Sequence, residues 1–390
     1  MSNDIPIAII GGGVVGCAVA WELSKTHEGI FLFEKNPGIT TGENQSTRNS
    51  GVIHSGIYYD QKTRPLKAAL CVEGNRMLYD FCALYRVPAL NTGKLLVAAN
   101  KKEDEVLDSY LEQGRKNRVP GLEKIPGQKV TEMEPNIKAA SALLVPSAGI
   151  IDPVSLVYRL QTLASQDGVQ FLTGTVVTGM EVDGDRIRLD IRYPDGKRDQ
   201  VKAEVVINAS GIDADTLARS VNPRSPFELD PVRGESYKFY GHKRSELRLA
   251  GMNIYPTPTA VVTPNGRHFT VGVHLTPTFE NLDYPPTLGS TVTIGPKLIP
   301  AENREPSGEP SVAPEVFVES VRPFFPWLKK DDLMWHQSGL QARLKGHPDF
   351  VITRDEMRPG LIHLLGIDSP GLTASLAIAH KVGNMVKEMI

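Results

Sequence analysis

The chain has 390 residues, 41% of them hydrophobic, which suits two intertwined domains burying a large ligand between them rather than one minimal core. Its 43 Lys and Arg against 45 Asp and Glu leave a formal charge of -2, with no basic tract to hold a phosphate backbone, so nucleic acid is excluded as a partner. Three scattered cysteines (Cys17, Cys71, Cys82) and nine histidines without a His-Glu-x-x-His exclude a disulfide framework and a metal centre, and point to a reducing, cytoplasmic setting.

Ile5 to Ile10 is a continuous apolar run, as expected of a parallel strand buried on both faces, and Val14 to Lys25 follows as a helix. Asp4 stands where a signal peptide needs a cation, and Gly11, Gly12 and Gly13 interrupt the run, so it reads as strand and turn. No stretch reaches the roughly 20 apolar residues of a membrane span, which leaves only peripheral membrane contact. Ile30 to Phe33 returns as a second strand ending at Glu34.

Gly93 to Ala99 is expected as a strand, Lys101 to Asn117 as a charged surface helix, and Asp152-Pro153 as the cap and first turn of a helix running to Gln166. From Val169 to Asn208 a meander is expected, with turns at Asp183-Gly184 and Pro194-Asp195-Gly196. Arg233 to Ile294 is strand-rich, and Pro300 to Pro314 is a long polar surface loop. Leu361 to Leu365 is a strand, followed by a Ser369-Pro370-Gly371 turn and a helix from about Leu372.

Gly11-x-Gly13-x-x-Gly16 supplies a tight turn, bare backbone for a pyrophosphate and close packing of helix on strand, with unpaired helix N–H groups for the anion. Glu34 lies where a ribose-binding carboxylate is expected, and an acid there argues against a 2'-phosphate. FAD and NAD both fit this fingerprint. Two later features favour FAD: Val205 to Gly211, a strand ending in small residues, and Gly366 to Thr373, a second helix start where a reduced flavin needs positive potential.

With Arg48-Asn-Ser-Gly-Val-Ile-His54-Ser-Gly-Ile-Tyr58-Tyr59 added, followed by Gly93-Lys-Leu, Gly149-Ile-Ile-Asp152, Pro231-Val-Arg233-Gly, Asn253-Ile-Tyr255-Pro and Gly272-Val-His274, the chain resembles the D-amino-acid-oxidase-like superfamily of FAD enzymes. Within it, the resemblance is to L-2-hydroxyglutarate dehydrogenases and oxidases. It implies flavin contacts from Val14, Val15 and Lys35 around the first turn, and from Thr47, Arg48, Asn49, Ser50 and Val52 in the following loop. It extends them to Val177, Ala209, Ser210, Gly211 and Gly339, and to Gly371, Leu372 and Thr373 at the last helix.

The implied reaction is oxidation of L-2-hydroxyglutarate, or a related small anionic 2-hydroxy acid, to the 2-oxo acid by hydride transfer to flavin N5, with oxygen or a quinone as final acceptor. A base is needed near the hydroxyl, and His54 and His274 are the two candidates, although His274 in an apolar strand from Thr270 to Leu275 also fits as a core residue. Arg233, Arg48 and Arg343 compete to pair a carboxylate, with an ion pair to Glu235 as the alternative for Arg233; Tyr58 and Tyr255 would wall the pocket. An amino-acid or amine oxidase of the same superfamily and a non-catalytic flavin-binding electron carrier are the alternatives. The expected fold is α/β, a discontinuous Rossmann-like FAD domain (1–88, 150–215 and 330–390) with a mostly antiparallel α+β substrate domain (89–149 and 216–329).

Overall fold

The computed structural model describes residues 4–41, 44–263, 266–305 and 308–390. Two eight-stranded sheets dominate the described residues. The first is built around Asp4–Ile10, which pairs in parallel with Ile30–Glu34 on one side and Arg198–Asn208 on the other. Ile7, Ile9, Ile30 and Leu32 are buried because helices cover this sheet: Val14–Ser24 packs against Pro153–Gln166 and Gly371–Lys387, and Pro65–Tyr85 crosses the last of these.

The Pro65–Tyr85 helix was not evident from sequence. Proline at its first turn removes one orphan donor, and the Asp349 carboxylate accepts from the Leu66 and Lys67 N–H groups at 2.8 Å each, a cap supplied from 280 residues away in the chain. Asp152 does cap its helix, accepting from Ser155 N–H at 2.7 Å. The turns at Gly184 and Gly196 join Val176–Asp183, Arg186–Arg192 and Arg198–Asn208 into an antiparallel ribbon as expected. Gln170–Thr173, expected in the same meander, instead pairs in parallel with Ile30–Glu34.

The second sheet runs in the order Leu333–Gln341, Val232–Tyr240, Thr287–Pro300, Leu275–Asn281, Asn253–Pro256, Lys94–Ala98, Ser141–Val145, Glu123–Pro126. Leu333–Gln341, which a boundary at 330 assigns to the nucleotide half, is thus hydrogen-bonded into this sheet, with Gly234 opposite Gly339. One face is apolar: Leu95, Val97, Ile254, Leu275, Ile294, Tyr237 and Phe239 pack with Phe317 and Val321 of the helix Pro314–Val321. Alternation along the strands then places Lys94, Asn253, Tyr255, Thr276 and Thr293 on the other face. That polar face looks toward the loop after the first domain's glycine turn.

His274 is a correction. The strand expected from Thr270 to Leu275 breaks, since Gly266–Thr270 ends one strand, Gly272 has φ +66°, and a new strand starts at Leu275. His274 therefore sits in the connection, one residue before the sheet.

Candidate functional site

The dinucleotide turn has the geometry its glycines require. Gly11 has φ +103°, and a Cβ on Gly16 would overlap the Gly11 carbonyl oxygen, so helix and strand meet without side chains between them. Gly13 caps the helix with no side chain, leaving its start to an outside acceptor; Val14 N–H donates to Ser46 Oγ at 2.8 Å, and Val15 follows, half-buried, in the same turn. Glu34, 5% exposed, takes Gly12 N–H on one oxygen at 2.6 Å and the Asn36 backbone and amide N–H on the other at 2.8 and 2.6 Å. Lys35 reaches outward to Asp213 at 2.9 Å. Val177, itself buried, lies near the start of the edge strand Val176–Asp183, two residues after Thr175, whose N–H donates to the Glu34 carbonyl. Ala209 N–H donates to Ile10 O, Ser210 Oγ donates to Asn208 at 2.6 Å, and Gly211 opens a short 3-10 turn.

Residues 44 to 51 form a stitched loop between the two sheets. Asn44 accepts from Ser46 N–H, Thr47 Oγ donates back to Asn44 O, and Asn49 accepts from Gly51 N–H across Ser50. The second sheet holds the loop from the other side: Leu340 N–H donates to Gln45 at 2.6 Å, Gln337 donates to Asn49 O at 3.1 Å, and the Arg48 backbone lies against Gly339. Val52 then enters a short strand, and Thr373 at the start of the last helix ties this segment down, accepting from His54 N–H at 3.0 Å. That helix has no side-chain cap at Pro370; Gly371 N–H donates to the Asp368 carbonyl at 2.6 Å, which leaves Leu372 and Thr373 N–H at the helix start. Two helix starts whose own N-cap residues give no side-chain bond, a turn that a Cβ would fill and a buried acid at the second strand's end fit FAD: Gly11 to Gly16 and Glu34 could hold the nucleotide, and residues 47 to 52 with 371 to 373 the ring.

Beyond this loop the polar face of the second sheet meets residues 54 to 59. His54 is half-buried; Nε2 lies 3.4 Å from Ser369 Oγ, and buried Nδ1 has no partner. Its pKa is held well below the usual histidine range by burial, and further by Lys94 and His274. His274 stacks on Tyr255 at 3.8 Å and 17°, and burial lowers its pKa to about 3. Its Nδ1 is 3.3 Å from the Gly272 carbonyl, which can only accept, so the neutral ring carries its proton on Nδ1 and its lone pair on Nε2. Tyr58 Oη is buried without a partner, and Tyr59 shares a hydrogen bond with Ser369.

Sequence reasoning missed Lys94. It is 0% exposed, its Nζ has no hydrogen-bond partner, and it lies 3.9 Å from the Tyr255 ring centroid and 5.3 Å from that of Tyr58. Burial lowers its pKa to about 7. The signal was a lysine opening an otherwise apolar strand, Lys94-Leu-Leu-Val-Ala98, all of it buried.

The three arginines go to different places. Arg233 lies on the sheet face opposite this cluster, 2.9 Å from the fully buried Glu235, whose carboxylate also accepts from Ser311 and Val312 N–H; the ion pair weighed above is present, as a buried clasp on the 308–313 loop. Arg343 is 44% exposed and reaches Asp368 at 3.6 Å, an acid that Lys67 already pairs at 2.6 Å. Arg48 contributes its backbone to the loop just described. So His54, Tyr58, Tyr255 and His274 converge, and Arg233 does not join them. Among the described residues there is no metal-binding cluster and no helix long and apolar enough to cross a membrane.

Comparison with known proteins bears on the arrangement. A family model described as FAD dependent oxidoreductase (DAO) matches residues 6–385. The chain is 31% identical to a mitochondrial L-2-hydroxyglutarate dehydrogenase of Arabidopsis thaliana, over 97% of this chain and 83% of that one. It is 30% identical to a glycerol 3-phosphate dehydrogenase of Caloramator mitchellensis, over 98% and 74%. The L-alpha-glycerophosphate oxidase of Mycoplasma pneumoniae, solved dithionite-reduced with FAD bound, superposes with a TM-score of 0.84 at 25% identity, over 98% of this chain and 95% of that one. Glycine oxidase from Bacillus cereus superposes at 0.78 with 19% identity, a likeness of fold, over 99% and 96%.

Proposed function

The chain belongs to the FAD-dependent oxidoreductase family whose model spans it, and on that premise we propose that it oxidises L-2-hydroxyglutarate, or a closely related small 2-hydroxy acid, to the 2-oxo acid. The carrying observation is a group of buried polar atoms without partners, His54 Nδ1, Tyr58 Oη and Lys94 Nζ, with Tyr255 and His274 beside them, gathered between the loop at 47–54 and the polar face of the second sheet. FAD, when bound, supplies the two-electron acceptor for the hydrogen on the carbon that bears the hydroxyl.

The protein's own part is to place the acid and take the hydroxyl proton. His54 stays neutral because burial and nearby positive charge oppose its protonation, so it keeps a lone pair for that proton at neutral pH. Its position is fixed on both sides: its backbone N–H is held by Thr373, and Asn75 donates to its carbonyl at 2.8 Å. His274, packed flat on Tyr255, shapes the wall. Tyr58 Oη is a donor for a substrate oxygen. Free, buried thiols at Cys17, Cys71 and Cys82 accord with a cytoplasmic setting.

Oxidation of glycerol 3-phosphate is the second reading, favoured by the Caloramator relative and by the fit to the glycerophosphate oxidase. Product analysis separates the two. Incubation with L-2-hydroxyglutarate under air, and separately with a soluble quinone, should yield 2-oxoglutarate without ammonia; turnover of glycerol 3-phosphate instead, or ammonia from an amino acid, would overturn the assignment.

A further inference from the structure

We infer that the Lys94 ammonium is the seat for an anionic oxygen of the substrate, and that the anion enters together with a proton taken from solvent. This rests on the oxidation of an anionic substrate proposed above, and it names the residue that recognises the anion. Lys94 lies at the start of a central strand, in register with Asn253 on the next strand and directed onto the face that also carries Tyr255. Its three N–H bonds meet no acceptor, and it makes no ion pair among the described residues. The faces of Tyr255 and Tyr58 offset only part of the cost of burying that charge.

Among the described residues nothing nearby supplies an anion. The titratable groups around Lys94 are His54 and Tyr58 from the loop, Cys71 from the Pro65–Tyr85 helix, Tyr255 from the neighbouring strand and His274 from the connection. Burial holds the phenols and the thiol protonated and both imidazoles neutral at pH 7. The cluster therefore gathers donors and bases with no negative charge, and the Asn253 and Thr276 side-chain oxygens on the same face are also without partners. A carboxylate or phosphate oxygen placed at Nζ completes the site, and its charge raises the affinity of Lys94 for a proton. With the free amine titrating at about 7, the protein takes up about half a proton per anion at pH 7 and nearly one at pH 8.5.

The test uses the oxidised FAD-loaded protein and three probes that it cannot oxidise: acetate, glutarate and inorganic phosphate. Binding is read from the perturbed flavin spectrum, and proton uptake from calorimetry in buffers of different ionisation heat. Wild type should bind at least one probe with the stated uptake. Lys94→Met should retain its flavin, bind that probe on the order of 100-fold more weakly and take up no proton. Lys94→Arg, which stays charged, should bind it with no uptake. Equal binding by the Met variant, binding without uptake in wild type, or no binding of any probe by wild type would overturn the inference. Phosphate binding with uptake while glutarate is refused would uphold Lys94 and count against the 2-hydroxy acid alone.

Discussion

Replacing Lys94 by methionine should make the protein more stable, and by an amount that depends on pH. The lysine titrates near 10.5 in the unfolded chain and at about 7 in the fold, where burial disfavours the charged form. For a base whose folded pKa is lowered, the penalty on folding is absent above the unfolded value. It grows as pH falls from 10.5 and levels off below about 7, because over that window the unfolded state binds the extra proton. At about 1.4 kcal/mol per unit, the penalty is up to about 4 kcal/mol at pH 7 and about 1 kcal/mol at pH 10. Methionine has a similar length and volume and carries no charge, so it recovers most of this. Chemical denaturation of both proteins, at the same flavin concentration at pH 7, 8.5 and 10, measures the difference. A gain that shrinks steadily with rising pH is expected. A loss of stability, or a gain that does not change with pH, would refute the placement of an unpartnered amine in the core.

Three other substitutions test the site. Gly16→Ala forces a methyl onto the Gly11 carbonyl oxygen and should separate helix from strand, costing about 1–3 kcal/mol, read from the denaturant midpoint, and most of the bound flavin, read from the absorbance ratio of purified protein. Glu134, fully buried, accepts from Ala250, Gly251 and Met252 N–H at 2.7, 2.9 and 2.7 Å and so positions the strand of Asn253 and Tyr255; Glu134→Ala should lower stability by roughly 3 kcal/mol, seen in denaturant midpoint. His54→Asn should keep its flavin yet slow anaerobic flavin reduction by roughly 100- to 10,000-fold, and a rate within a few-fold of wild type would remove His54 as the base.

The nucleotide half was legible where structure is local. The glycine turn, Glu34, the Asp152 cap and the glycine turns of the antiparallel ribbon each follow from a few adjacent residues. What was not legible depends on distant partners. The Pro65–Tyr85 helix touches neighbours over much of its surface, which blurs its apolar stripe, and its cap comes from Asp349. Leu333–Gln341 joins the second sheet through pairing with Val232–Tyr240, a hundred residues earlier. Arg233 stayed a candidate for substrate beside its ion pair with Glu235 because only the structure shows that pair buried and gathered onto the 311–312 backbone. Lys94 was passed over because its burial follows from the strand's place inside a sheet, with strands paired on both sides, which composition does not reveal.

The central claim is that this FAD-dependent fold oxidises a 2-hydroxy acid. Its most direct test is anaerobic mixing of the flavin-loaded protein with L-2-hydroxyglutarate, alongside its D-enantiomer, lactate, glycerol 3-phosphate and a panel of amino acids, while the flavin band is followed. Rapid bleaching by the L-hydroxy acid and not by its enantiomer is expected. Bleaching by glycerol 3-phosphate or an amino acid while L-2-hydroxyglutarate leaves the band unchanged would contradict it.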